Sequence, residues 1–420
     1  MKSPPQRCFI ADDLSGALEV GGLFHDRGNR VRLVLDPDTP VGGTAGHIIG
    51  YDLNTRPTGP VQAYGIVRHS VTAIRERKDR LIYKKIDSTL RGWIGEEIRG
   101  VLDAHPESIV LFCPANPAVG RTVRDGRLFV DNVSVEQTPF NRDPAFPITD
   151  ARLEAHFPPE LRNRLRLCPL SIVRSSQADL SIWVNQALQD GARVLGFDAS
   201  SHADLAAIVR TGETIDRPVL LCGSGALAGA MRHPDAMAPS SSSTQTSPPV
   251  PSTHRGIGFL MGSAHPRTRD QLALLQKNRS IEMLSFDPEQ PASWSRTIGD
   301  FYARLERKPV AVVPGSTSGP RQDSAAAIQR FYRNLAEPDE NRRFPGRLFV
   351  TGGETARTIC EAAGFDHLDL AGSLEPGVAV STAERSTEAT EDAGPFTLVT
   401  KPGGFGGPDT LVSCYDYLTG

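Results

Sequence analysis

Short apolar runs alternate along the chain with longer stretches that carry apolar side chains at helical spacing. Five runs near the start have the length of buried strands, and they lie at 8–11, 31–36, 47–52, 80–87 and 108–115. Between them, residues 61–78 and 94–105 have the apolar spacing of amphipathic helices. This alternation predicts a mostly parallel sheet flanked by helices.

The pattern changes twice and then resumes. Residues 121–138 alternate around an Asp-Gly pair, which predicts a β-hairpin. Residues 237–256 are rich in Ser, Pro and Thr and predict a linker. Further strand-like runs lie at 193–198, 217–223, 257–263, 309–316, 347–353, 367–372 and 396–403. We therefore predict an α/β protein with two domains, 1–236 and 257–420, each a mostly parallel sheet flanked by helices, with the hairpin as an excursion from the first.

The composition argues against several classes of protein. Lys and Arg number 46 against 49 Asp and Glu in 420 residues, so a strongly basic nucleic-acid binder is excluded. No apolar run approaches the roughly 18 residues of a membrane helix, and the start of the chain lacks a long apolar signal segment. The six cysteines are isolated singletons, which argues against a zinc site and a disulfide framework. We expect a cytoplasmic protein.

Charged clusters follow three of the predicted strands in the first domain. They are Asp12-Asp13, the segment from Asp52 to Arg56, and the segment from Lys84 through Asp87 and Ser88 to Arg91. Ligands of open α/β sheets bind at the carboxyl ends of strands, and such groups suit a polyhydroxy acid. Helix capping is the structural alternative. If the first strand continues through both aspartates, Asp12 faces away from Asp13.

Glycine-rich turns follow the strands of the second domain. They are Gly262-Ser263, the segment 315–319, the segment from Gly352 to Thr355, and the segment 401–407. Glycines let backbone N–H groups approach phosphate oxygens, so these turns predict a nucleotide phosphate site, with ordinary tight turns as the alternative. No lysine follows a glycine, which excludes a Walker A loop. The segment 223–229 has one residue too many for a dinucleotide fingerprint, which argues against nicotinamide binding.

Together these segments resemble the four-carbon acid sugar kinase family. The matching stretches are ADDLSGA (11–17), KKIDSTLRG (84–92), CPANPAVGRTVRDG (113–126), TPFNRDPAFPIT (138–149), GSGALA (223–228), TGGETA (351–356) and KPGGFGGPDTL (401–411). The resemblance implies a sugar-acid-binding N-terminal domain and a nucleotide-binding C-terminal domain. It also implies ATP-dependent phosphorylation of threonate, erythronate or 3-oxo-tetronate, usually at O4. The stretch DLNTR (52–56) departs from the acidic-Ser-Arg ending usual in the family and leaves the acid open. The 237–256 segment is longer than the usual connection between the two domains.

The resemblance also assigns residues to the two sites. The sugar-acid contacts it implies are Asp13, Arg56, Lys85, Asp87 and Ser88. The ATP contacts it implies are Ser263, Gly352, Gly353, Glu354, Thr355, Gly403 and Gly404.

The predicted function is therefore an ATP-dependent kinase of a four-carbon sugar acid. We expect Lys85 or Arg56 to hold the substrate carboxylate and Asp13 to accept the 4-hydroxyl proton, with Asp409 as a second candidate base. Mg²⁺ is expected, with no ligands identified, and the expected partners are a small sugar acid and ATP, not nucleic acid or a membrane. A homo-oligomer is left open. The alternatives are a non-catalytic sensor of a sugar acid and a nucleotide, and a dehydrogenase.

Overall fold

The computed structural model describes residues 5–39, 46–143, 146–231, 256–263, 265–315, 321–339, 342, 344–383 and 396–420. In chain order the strands are β1 (Arg7–Ala11), β2 (Arg30–Val34), β3 (His47–Asp52), β4 (Arg80–Lys85), β5 (Ile109–Cys113), β6 (Arg121–Arg124), β7 (Arg127–Val130), β8 (Val133–Ser134), β9 (Leu165–Cys168), β10 (Val194–Phe197), β11 (Val219–Gly223), β12 (Ile257–Met261), β13 (Glu282–Phe286), β14 (Val310–Pro314), β15 (Arg347–Thr351), β16 (His367–Glu375), β17 (Val378–Ala383) and β18 (Phe396–Lys401). The α-helices are α1 (Leu14–His25), α2 (Pro60–Glu76), α3 (Ile94–Ala104), α4 (Pro159–Arg162), α5 (Leu170–Val173), α6 (Gln177–Gln189), α7 (His202–Glu213), α8 (Gly225–Ala230), α9 (Pro266–Asn278), α10 (Trp294–Leu305), α11 (Arg321–Ala336), α12 (Gly353–Ala362) and α13 (Thr410–Thr419).

The chain divides into two compact units. The first comprises Met1–Leu23 and Pro40–Ala236, and the second comprises Phe24–Thr39 and Met237–Gly420. The second unit thus includes a segment near the N-terminus that the predicted domain boundaries leave in the first domain. The physical reason is strand pairing, because β2 in this segment pairs antiparallel with β16. The predicted linker at 237–256 lies outside the described residues except for Gly256.

The first unit contains a seven-stranded parallel sheet in the order β3-β1-β4-β11-β5-β10-β9. The residues of β5 and β10 are buried throughout, as expected where both faces of a parallel sheet are covered. A separate antiparallel sheet of β6, β7 and β8 forms the predicted hairpin excursion. The predicted α/β fold class is therefore confirmed, and its strands begin and end within about two residues of the predicted runs in most cases.

The second unit combines parallel and antiparallel strands. Its parallel part has the order β13-β14-β12-β15-β18, and β17, β16 and β2 extend it with antiparallel pairing. Phe259, Phe349, Val399 and Leu411 belong to its buried core. The sequence does not predict the antiparallel extension, because the apolar run at 367–372 indicates one more strand of the α/β alternation. Across the described ranges, no helix has the length and apolar character needed to cross a membrane.

All six cysteines are buried and none forms a disulfide. Burial raises the pKa of Cys113 and Cys222 to about 12, so these thiols stay protonated near neutral pH. The prediction that the cysteines form no disulfide framework is confirmed.

Candidate functional site

Three loops of the first unit meet at the carboxyl edge of its sheet. Both β3 and β4 run parallel to β1 and flank it, so the residues that follow the three strands emerge at the same edge. The chain reaches β3 on one side of β1 and β4 on the other. Ligands of open α/β sheets bind at such a switch point. Asp13, Arg56 and Asp87 follow these three strands.

Arg56 is held by both carboxylates that follow β1. Its Nε and Nη2 donate to Asp12 Oδ2 at 3.0 and 2.8 Å, and its Nη1 donates to Asp13 Oδ2 at 2.8 Å. Burial alone would lower the pKa of Arg56, but the attraction of Asp12 and Asp13 raises it well above its usual value. Arg56 is therefore a fixed cation whose charge two neighbouring carboxylates already balance.

Asp12 would face away from Asp13 only if the first strand continued through both residues, and that condition is not met. Strand β1 ends at Ala11, so the alternation of side chains along a strand stops before either aspartate, and both contact Arg56. The two carboxylates differ in exposure: the Asp12 side chain is 2% exposed and that of Asp13 is 17% exposed. Burial raises the pKa of Asp12 to about 6. Asp13 is therefore the more accessible of the two carboxylates.

Adjacent lysines at the end of β4 have different partners. Lys84 forms an ion pair with Glu97 of α3, and both side chains are fully buried. Lys85 Nζ lies 3.2 Å from Glu19 Oε2 of α1. A Cβ on Gly16 would lie 2.9 Å from Lys85 Nζ and 2.8 Å from Asp13 Oδ1, so only glycine leaves room for these two groups. Lys85 thus belongs to the same cluster as Asp13, and Lys84 belongs to the interior.

Asp87 is fixed from several directions in the loop after β4. Its two carboxylate oxygens accept bonds from Arg91 Nε and Nη2 at 2.9 and 3.0 Å, and Oδ2 also accepts from the backbone N–H of Thr89. Burial alone would raise the pKa of Asp87, but Arg91 and Arg56 hold it well below its usual value. Asp87 is therefore an ionised, positioned acceptor. The hydroxyl of Ser88 beside it accepts a hydrogen bond from Arg121 Nη1.

The nucleotide residues predicted in the second unit follow three adjacent parallel strands. Ser263 follows β12, Gly352 follows β15, and Gly403 follows β18. The chain reaches β14 on one side of β12 and β15 on the other, so this edge is also a switch point. The N–H of Ser263 donates to Thr351 Oγ1 at 3.1 Å, and that of Gly352 donates to the carbonyl of Lys401 at 3.0 Å.

Two glycines of this edge have no room for a side chain. A Cβ on Gly262 would lie 2.0 Å from Thr355 Oγ1, and one on Gly403 would lie 2.0 Å from Ser263 Oγ. Gly352 adopts φ +93°, a conformation that favours glycine, and helix α12 begins at the next residue. Close-packed glycines beside a helix N-terminus suit phosphate oxygens. Gly353, Glu354 and Thr355 form the first turn of that helix, where the Glu354 side chain is exposed.

Lys401 holds the glycine-rich loop 401–407 through hydrogen bonds to the carbonyl groups of the loop. Its buried ammonium donates to the carbonyl oxygens of Pro402, Gly403 and Phe405, each at 3.1 Å. Thr268 Oγ1 of α9 donates to the Gly403 carbonyl at 2.8 Å as well. Burial lowers the pKa of Lys401 to about 8. The loop that carries Gly403 and Gly404 is therefore held by hydrogen bonds to its carbonyl groups. Within it the Phe405 N–H donates to the Pro402 carbonyl at 3.1 Å, and no described acceptor bonds the N–H groups of Gly403 and Gly404.

Other predicted features have more ordinary positions. Helix α8 begins within the segment 223–229, and Ser224 caps it by accepting from the N–H of Ala226 at 3.2 Å. Asp409 is the N-terminal capping residue of α13. Of the predicted turn at 315–319, only Gly315 lies among the described residues.

Sequence reasoning missed two charged groups of the first site, Glu19, which pairs with Lys85, and Arg121, which bonds to Ser88. It placed Arg91 in the cluster but did not identify it as the partner of Asp87. The spacing of four residues between Asp87 and Arg91 was a usable signal for that pair. No local signal pointed to Arg121, whose partner lies 33 residues earlier in the chain.

Two family models match most of the chain. One, described as a sugar-binding N-terminal domain, matches residues 8–231, and the other, described as a nucleotide-binding C-terminal domain, matches residues 259–411. The fold and the two families thus define a protein with one sugar-binding and one nucleotide-binding domain. The chain belongs to the four-carbon acid sugar kinase family.

Curated relatives match over nearly their whole length. A D-threonate kinase of Cupriavidus necator is 29% identical, and the match covers 98% of this chain and 97% of the relative. A D-erythronate kinase of Heliobacterium modesticaldum is 24% identical, with 98% and 96% covered. A 3-oxo-tetronate kinase of Burkholderia multivorans is 26% identical, with 97% and 96% covered.

Solved structures share the fold. A protein of Salmonella typhimurium aligns with a TM-score of 0.76 at 20% identity, covering 97% of this chain and 98% of that one. A protein of Haemophilus influenzae aligns with a TM-score of 0.70 at 20% identity, covering 98% and 100%.

Proposed function

We propose that this protein is a kinase that transfers the γ-phosphoryl group of ATP to the 4-hydroxyl of a four-carbon sugar acid. The acid is threonate, erythronate or 3-oxo-tetronate. The observation that carries the proposal is the full-length similarity to relatives that are named as kinases of these three acids. The charged cluster of the first unit supports it, because it offers fixed cations, carboxylates and a hydroxyl, which suit a polyhydroxy acid.

In the proposed reaction the 4-hydroxyl oxygen attacks the γ-phosphorus of ATP. The bond from that phosphorus to the oxygen shared with the β-phosphate breaks, and ADP leaves. Asp13 accepts the hydroxyl proton. Asp13 suits this role because it is the more exposed aspartate, and bonds from Arg56 and from the N–H of Gly16 orient its oxygens. Lys85, Asp87 and Ser88 contact the remaining polar groups of the acid.

The ATP phosphates are proposed to lie on the glycine-rich edge of the second unit. Ser263, Gly403, Gly404 and the first turn of α12, from Gly352 to Thr355, contact them. The close packing at Gly262 and Gly403 supports this assignment, since backbone N–H groups reach phosphate oxygens best where no side chain intervenes. These donors stabilise the negative charge of the transferring group.

Mg²⁺ stays an expectation for this chain. Among the residues that the structure describes, no group of three or more His, Cys, Asp and Glu side chains is arranged to hold a metal ion. Mg²⁺ bound with nucleotides is commonly held by one or two carboxylates together with the phosphates and water.

An ADP-release assay tests the proposal. The purified chain is given ATP and, in turn, the stereoisomers of threonate and erythronate and the 3-oxo-tetronates, and phosphorus NMR of the product locates the phosphate. Turnover of one or more acids with the phosphate on O4 is the expected result. Tight binding of both ligands without ADP release would identify a non-catalytic sensor instead. Bound nicotinamide absorbance without ATP binding would identify a dehydrogenase.

A further inference from the structure

Four cations crowd the carboxyl edge of the first unit, and three of them are already balanced. Arg56 pairs with Asp12 and Asp13, and Lys85 pairs with Glu19. Arg91 pairs with Asp87 and lies 3.2 Å from Asp143. These ion pairs leave little unbalanced positive charge at the positions where the sequence placed the substrate carboxylate, Lys85 and Arg56.

Arg121 is the exception in this cluster. In the described part of the chain, no carboxylate lies within 4 Å of its guanidinium, and its hydrogen bond to Ser88 goes to a neutral hydroxyl. Its Nε is buried and has no hydrogen-bond partner among the described residues. A buried guanidinium with an unused donor is costly unless an acceptor arrives.

The pKa shifts also distinguish Arg121 from the other three cations. Attraction to carboxylates raises the pKa of Arg56, Lys85 and Arg91 despite their burial. Burial lowers the pKa of Arg121, and the attraction of Asp87 does not offset it. An anion placed against Arg121 would supply the missing compensation.

The backbone of Arg121 is held firmly beside the site. Its N–H and carbonyl exchange hydrogen bonds with Asn116 at 3.0 and 2.9 Å, just beyond the carboxyl end of β5. The Phe140 ring lies 5.8 Å from its guanidinium carbon and 5.7 Å from that of Arg91. A planar guanidinium that is held in place and has unused N–H donors has the geometry that binds a carboxylate.

We propose that Arg121, together with Ser88, binds the carboxylate of the substrate and selects acids over neutral polyols. The inference rests on the proposed function for the identity of the acid, and it replaces Lys85 and Arg56 as the residues that hold the carboxylate. Lys85 and Arg56 then hold Glu19 and the paired aspartates in place around the hydroxyl groups.

The test compares Arg121→Gln and Arg121→Lys with Arg124→Gln. Arg124 lies on the same strand, beside the Phe129 ring, and donates to Asn132. Its Nε is also buried without a described partner, so it is a matched control for that property at a residue that does not bond to Ser88. Arg121→Gln should raise KM for the sugar acid roughly ten- to a hundredfold and leave KM for ATP unchanged. Arg121→Lys should recover part of the loss, because it keeps the charge without the fork. Arg124→Gln should behave like the unchanged protein.

A second measurement separates recognition from folding. Inhibition by the corresponding tetritols, which carry an alcohol in place of the carboxylate, should be the same for Arg121→Gln as for the unchanged protein. Equal losses of acid and tetritol binding, or an unchanged KM for the acid, would overturn the inference while leaving the kinase proposal intact.

Calorimetry of acid binding, which needs no turnover, distinguishes a failure of the proposed function from a failure of this inference. If no acid is phosphorylated but threonate or erythronate binds the unchanged protein and not Arg121→Gln, the kinase proposal fails and the inference stands. If none of the acids binds the unchanged protein, both fail.

Discussion

Asp13 is the single residue on which the proposed proton transfer depends. Asp13→Asn keeps the shape and can still bond to Arg56, but it cannot accept the hydroxyl proton. A general base contributes about 10²- to 10⁴-fold, and a loose phosphoryl transition state needs less help. We expect kcat to fall at least about tenfold, with the Kd for ATP unchanged, as measured by steady-state kinetics and calorimetry.

Asp12→Asn is the control for this substitution. Asp12 is buried and accepts hydrogen bonds from two nitrogens of Arg56. Replacing Asp12 should therefore loosen Arg56, and KM for the acid should rise more than kcat falls. Normal turnover in Asp13→Asn would remove it as the base. Asp409 would then be a better candidate than Asp87, because Arg91 and Arg56 hold the pKa of Asp87 well below its usual value and make it a weak proton acceptor.

Lys84 and Lys85 make a matched pair with opposite expected effects. Lys84→Ala leaves Glu97 buried without its partner, so the free energy of unfolding should fall by about 3–5 kcal/mol. Lys85→Ala should change stability less and weaken sugar-acid binding about ten- to a hundredfold, because it removes a charged donor beside Asp13. Denaturant unfolding and calorimetry measure the two effects. Equal stability losses in the two variants, with unchanged acid affinity, would contradict the assignment.

At the residue scale, the sequence could identify groups but not their partners. The cluster from Lys84 to Arg91 lies at a strand end as predicted, since a strand end can be recognised from a local apolar run. The partners Glu19, Glu97 and Arg121 come from other elements, and tertiary packing chooses them. The orientation of Asp12 depends on where β1 ends, because side chains alternate between faces only within a strand and β1 ends at Ala11.

The glycine-rich loop after β18 gives a sharp test at the scale of an element. Gly403→Ala would place a Cβ 2.0 Å from Ser263 Oγ, so the loop and Ser263 must move apart. Gly407 lies in the same loop with nothing within 4 Å of its would-be Cβ. We expect Gly403→Ala to weaken ATP binding at least about tenfold, the loss of one charge-assisted bond, and Gly407→Ala to leave it nearly unchanged. Calorimetry with ATP measures both, and similar affinities for the two variants would show that ATP does not use this loop.

Lys401 makes the same loop sensitive to pH. Its folded pKa of about 8 means that the ammonium loses its proton as pH rises from 7 to 9, which weakens its bonds to three loop carbonyls. We expect ATP affinity to fall over this range, and Lys401→Met to show weaker binding without that pH dependence. A wild-type affinity that is flat between pH 7 and 9 would contradict this role.

The stability of the protein should move in the opposite direction. The folded pKa lies below the ordinary value of 10.5, so between about pH 8 and 10.5 the unfolded chain holds a proton that the folded chain lacks. The contribution of this lysine to the free energy of unfolding therefore rises with pH over that window. Unfolding measured with and without ATP separates the two effects.

Element boundaries were predictable where apolar runs were bounded by charged or glycine-rich residues. Strands β9, β13 and β17 were missed. Strand β17 follows β16 after a short turn and pairs antiparallel with it, so it lacks the intervening helix that the α/β pattern led us to expect. A strand can pair antiparallel with a parallel sheet only at an edge that no other strand occupies. The local sequence does not show which edge that is.

At the scale of the whole molecule, the composition of the second unit differs from what the sequence predicted. Strand β2 lies more than 200 residues before β12, yet it pairs with β16 through the partners Val34–His367 and Leu33–Leu368. Arg32 adds a bidentate ion pair to Asp369 at 2.7 Å, and Leu33 is fully buried. No run of local sequence reveals such a distant pairing, which explains why the predicted boundary left this segment in the first domain.

The pairing of β2 predicts how the second unit behaves when cut at the predicted boundary. A fragment of residues 257–420 leaves β16 as an unpaired edge and removes the buried Leu33 side chain. We expect it to aggregate or to melt at a lower temperature than the same fragment with residues 24–39 joined through a flexible linker. The control is the joined fragment carrying Leu33→Asp, which places a charge in the core and should behave like the fragment without β2. Thermal unfolding and sedimentation compare the three proteins. If residues 257–420 alone are monomeric and as stable as the joined form, β2 is dispensable to the second unit, and the boundary at 257 describes an independent domain after all.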